Sequence, residues 1–60
     1  MLLFYVVTNP GSPEEGTASY ETRSAALEAA ERKDGAVVVE QVKFDDDGVP
    51  ASIEEVWSRS

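Results

Sequence analysis

Leu2-Leu3-Phe4-Tyr5-Val6-Val7-Thr8 is an unbroken run of apolar and β-branched residues, closed by Asn9-Pro10-Gly11. A run this short before a proline and a glycine reads as a strand and not as a helix. Side chains alternate across a strand, so Leu2, Phe4 and Val6 face one way and Leu3, Tyr5 and Val7 the other. Both faces are therefore apolar, and Val37-Val38-Val39 repeats the pattern further along. Strands without alternation are usually covered on both sides. The cover that the rest of the chain can offer thus limits what it can fold into.

One helix is available for that task. Thr22 is a suitable N-cap, and Arg23 to Lys33 then runs without Gly, Pro or a β-branched residue. Ala26, Leu27 and Ala30 form one buried stripe, with Ala29 or Arg23 at its edge. Alanines let the helix axis sit close to a sheet, yet they bury little area, each Å2 being worth roughly 25 cal/mol. Arg32 and Lys33 are expected in the last turn, complementing the carbonyl end of the dipole, and Gly35 is placed to be the left-handed C′ residue.

The remaining segments are strands and turns. Asn9 to Gly16 stacks turn formers and reads as a mobile surface loop, after which Thr17-Ala18-Ser19-Tyr20 can pair back on the first strand with Tyr20 toward the helix. Ala36 to Phe44 is the clearest strand, with Val42 and Phe44 on one face and Gln41 and Lys43 on the other. Asp45-Asp46-Asp47-Gly48 predicts a hairpin turn, and the chain returns as a last strand from Ile53 to Trp57. Regular alternation puts Ile53 and Trp57 on one face and Val56 on the other, unless a bulge intervenes at Glu54-Glu55. The expected fold is α+β over residues 1–60: a single two-layer domain, order β(β)αββ, with one helix on a three- or four-stranded, mostly antiparallel sheet.

Sixty residues bury only ~60% of the surface an unfolded chain exposes, so the core must be thin. Without a cysteine there is no disulfide to compensate, and without His or Cys no soft metal site, so neither metal nor cofactor is expected. Asp45-Asp46-Asp47-Gly48 begins like a calcium loop, but the position that should hold a bidentate Glu is Val56. Nucleophilic catalysis lacks its base, because no His or Cys stands ready to activate a serine or threonine. A non-enzymatic role is expected.

Twelve Asp and Glu against five Lys and Arg give a net charge of −7. That field disfavours nucleic-acid backbones and anionic membranes. No apolar run approaches the roughly 20 residues of a spanning helix, and Met1 to Val7 lacks the basic start of a signal peptide, so a cytoplasmic setting is expected. What remains is another protein. One helix covers one face of the sheet, and the apolar second face then needs a second copy of the chain or a partner.

Candidate partner-binding residues are the aromatics Phe4, Tyr5, Tyr20 and Trp57, with the carboxylates Asp45, Asp46, Asp47, Glu54 and Glu55. The aromatics compete with the core for the same side chains. The carboxylates could imitate phosphates toward a nucleic-acid-binding groove, or merely keep a sticky domain soluble. Tyr20, Thr22, Ala26 and Ala30, set between a strand and a valine-rich strand, resemble small phage proteins that inhibit host enzymes. The resemblance implies an inhibitor that docks on a host protein and blocks it; it carries over no binding residue. The alternative is a self-associating homodimer domain with no separate target.

Overall fold

A computed structural model describes residues 1–60. The element order is β1 (Leu2–Thr8), β2 (Gly16–Tyr20), α1 (Arg23–Glu31), β3 (Val37–Phe44) and β4 (Pro50–Arg59). The strands form one antiparallel sheet in the order β2-β1-β3-β4, with the helix on one side, so the two-layer α+β architecture is realised with four strands. The two strands that are apolar on both faces lie at the centre of the sheet, where they are flanked on either edge. The segment after the long loop does pair with β1, placing Tyr20 opposite Phe4.

Residues directly opposite in an antiparallel pair point to the same face. The register Ala18–Val6–Val39–Trp57 and Gly16–Thr8–Val37–Arg59 therefore defines the helix side. Phe4, Val6, Val37 and Val39 meet Ala26 and Ala30 there in a core of six buried residues, with Tyr20, Leu27, Val56 and Trp57 packed around it. The alanine stripe does what its size allows. Both Ala26 and Ala30 are wholly buried, so the helix rests directly on the valines.

Thr22 caps the helix as its residue type suggests, its Oγ1 accepting the Ala25 N–H at 3.2 Å from an extended backbone. The C-terminus differs from the sequence reading. The helix stops at Glu31 with Arg32 as C-cap, so neither Arg32 nor Lys33 is in its last turn, and Gly35 lies beyond the C′ position. Gly35 does take a left-handed φ of 81°, but in the bend that leads into β3. A tertiary contact holds this bend: the Arg59 guanidinium donates to the Gly35 carbonyl at 3.0 and 3.1 Å and to the Lys33 carbonyl. The same guanidinium lies 5.9 Å from the centroid of the Trp57 ring. The end of the last strand thus closes the end of the helix.

The other correction concerns β4. Val39 pairs with Trp57 but Glu40 pairs with Glu55, so Val56 is an extra residue and the strand carries a bulge there. Trp57 consequently turns to the helix side while Ile53, opposite Val42, turns to the other, and the two do not share a face. Val56 packs beside Trp57 against the core instead of opposing it. A second irregularity, between Lys43 and Phe44, leaves Ala51 as an extra residue of β4 beside the hairpin turn. In that turn the Asp45 carboxylate accepts the N–H groups of Asp47 and Val49, and Gly48 has φ 79°.

The loop between β1 and β2 ends at Glu15, one residue short of the sequence reading because Gly16 already pairs with Thr8, and it is bonded to itself. Ser12 Oγ donates to the Asn9 carbonyl at 2.8 Å and accepts the Glu14 N–H, while a Glu15 carboxylate oxygen accepts the Gly11 N–H at 3.0 Å.

Candidate functional site

The face of the sheet away from the helix has no covering element. Its register gives three rows across the strands: Leu3–Val42–Ile53, then Ser19–Tyr5–Glu40–Glu55, then Thr17–Val7–Val38–Ser58. Two apolar rows therefore flank an acidic one. Val42 is 5% exposed although it lies outside the core cluster, because Leu3, Ile53 and their neighbours crowd it. Leu3, Tyr5, Val7 and Val38 are half-buried by one another, and Ile53 is left 62% exposed. The two apolar rows, joined through Tyr5 and rimmed by Thr17, Ser19 and Ser58, make this the more apolar of the faces that no element of the chain covers.

The structure sorts the candidates named from the sequence. Tyr5 and Glu55 come together on the open face, joined by Glu40. Phe4 is buried beneath the helix and offers no surface to a partner. Tyr20 and Trp57 pack against the same core, and Glu54, opposite Gln41 and hence aligned with Phe4, is also on the helix side. Asp45, Asp46 and Asp47 lie in the β3–β4 turn, away from the rows. Glu40 is the residue the sequence reading missed. Its signal was available, since it shares strand parity with Val38 and Val42.

Glu40 and Glu55 are directly opposite across β3 and β4, and neither carboxylate makes a hydrogen bond or ion pair. The single ion pair of the chain, Glu28–Arg32 at 2.7 Å, is on the helix. Like charges facing each other across strands are destabilising. Glu55→Lys should accordingly raise the stability of the isolated domain by about 0.5 kcal/mol, solvent screening keeping the gain small. Urea denaturation measures it, and an unchanged or lowered midpoint would contradict the repulsion.

Comparison with family models, curated proteins and solved structures gives no match. The site is therefore read from its own geometry. The one cavity lies on the other side, between β2 and the end of the helix, and is lined by Val6, Thr8, Gly16, Thr17, Ala18 and Lys33. Its volume of about 170 Å3 is below the ~300 Å3 at which small-molecule sites begin. No helix is long and apolar enough to cross a membrane.

Proposed function

We propose that this domain acts without catalysis by docking its open sheet face on another protein, in the manner of a small inhibitor that occludes the surface it binds. The observation that carries the reading is the pair of apolar rows Leu3–Val42–Ile53 and Val7–Val38, with Ile53 left 62% exposed, on a sheet whose only helix lies on the opposite side. A cytoplasmic partner suits the chain's charge and the absence of cysteine. The small size of the cavity, with Lys33 as its one ionisable lining residue, supports a binding role over a catalytic one.

Ile53→Lys tests this with little risk to the fold, because Ile53 is mostly exposed already. In affinity capture from cell extract, compared quantitatively with the unaltered protein, a specific partner is expected to be lost with Ile53→Lys. It should be retained with Asp46→Lys at the hairpin tip. Equal capture by all three proteins would remove the open face from the function.

A further inference from the structure

We propose that the open face receives an amphipathic helix of a partner protein, with one Lys or Arg of that helix seated between Glu40 and Glu55 and apolar residues on either side. The inference rests on the docking reading above and names the chemistry of its occupant.

Charge complementarity points to a foreign, cationic occupant. Glu40 and Glu55 sit side by side in the middle row with no counter-ion, and no Lys or Arg of this chain is available on that face, while the N-terminal ammonium donates to the Phe44 carbonyl at the far end of β3. Arg23 is on the helix and Arg32 is its C-cap, paired with Glu28. Lys33 follows the helix end, Lys43 aligns with Leu2 and Ser52 on the other face, and Arg59 is engaged with the Gly35 and Lys33 carbonyls. Docking an apolar surface here without a cation would strip water from two unpaired carboxylates, which is costly. A lysine or arginine placed between them turns that penalty into charge-assisted hydrogen bonds.

The same facts disfavour a second copy. Face-to-face stacking would bring Glu40 and Glu55 of both chains into one interface, between bodies that each carry −7. The spacing favours a helix. Adjacent rows are two residues apart along a strand, or about 6.7 Å, and side chains four apart on a helix are separated by about 6.0 Å along its axis. A helix lying along the strands with the pattern apolar-x-x-x-cation-x-x-x-apolar therefore meets the rows in order. Its diameter of ~10 Å fits within the ~14 Å between the border strands β2 and β4.

The test is selection from a displayed library of helical segments with randomised surface positions, using the purified domain as bait. The expected result is enrichment of helices carrying Lys or Arg four residues from apolar positions on both sides. Their binding should fall about tenfold or more in the Glu40→Gln/Glu55→Gln double variant and be lost with Ile53→Lys. Circular dichroism and urea denaturation of each variant confirm that the fold is intact. Enriched helices that lack a cation, or that bind the double variant equally well yet fail on Ile53→Lys, would overturn the cationic occupant and leave the docking face standing. Enriched binders indifferent to Ile53→Lys, or no enrichment, would overturn both. A dimer by sedimentation that Ile53→Lys dissociates would assign the face to a second copy and overturn the proposal.

Discussion

Replacing Phe4 by alanine is expected to leave most of the chain unfolded in plain buffer. Phe4 is the one aromatic among the seven buried residues, 5% exposed, and it lies beneath the helix opposite Tyr20 and Gln41. Truncating a buried phenylalanine costs about 3–5 kcal/mol through lost transfer energy and the cavity left behind. A domain of sixty residues is stable by roughly 3–9 kcal/mol in all. The loss is comparable with the whole. Far-UV circular dichroism and the Trp57 fluorescence transition in urea measure it, with Tyr5→Ala as the companion on the open face. Tyr5 is only half-buried and has no helix above it, so its loss should be much milder. A Phe4→Ala protein with a midpoint near that of the unaltered chain would mean that the core is not where the register puts it.

The second large effect is expected from adding atoms. Ala30 is wholly buried on the helix face that meets Phe4, Val6, Val37 and Val39, and its small side chain sets how closely the helix approaches the sheet. Ala30→Leu must push the helix outward or force its neighbours off their rotamers, which costs typically 1–3 kcal/mol. Here the upper end applies, because the displaced helix also draws away from the Arg59 contacts at its end. Ser24→Leu, on an exposed position of the same helix, is the control and should be nearly neutral. If Ala30→Leu proved neutral or stabilising in urea, the helix would be shown to rest on the sheet less closely than its two fully buried alanines indicate.

The elements with local signals were legible in the sequence. The seven-residue run before Asn9-Pro10-Gly11 forms β1, Thr22 caps the helix, and Asp45 to Gly48 makes the turn, because each rests on residues adjacent in the chain. The helix end was not legible. Arg32 and Lys33 are good helix formers, but the chain must bend at Gly35 into β3, and the group that stabilises the bend is Arg59, far away in sequence. The face of Trp57 was hidden for a similar reason. Alternation alone aligns it with Ile53, and the extra residue at Val56 appears only when β4 is paired with β3.

The candidate site was legible as a surplus and not as a place. An excess of apolar strand surface over one alanine-lined helix follows from Leu2 to Val7 and Val37 to Val39 alone. Which side the helix takes does not. Phe4 and Tyr5 are neighbours of equal size, and their assignment to core and open face depends on Val6 and Val39 meeting Ala26 and Ala30. Glu40 escaped notice because a carboxylate in a strand is ordinarily taken as the solvent side, whereas here it lies in the row between Val38 and Val42.

The bulge at Val56 has a bearing on how the molecule behaves in a crowded solution. A strand that carries surplus residues, begins with Pro50 and displays Glu54 and Glu55 is a poor template for the lateral addition of another chain. The opposite border, β2, is only five residues long. Both borders are thus poor templates for sideways growth into ribbons, one by its irregular, charged backbone and the other by its brevity.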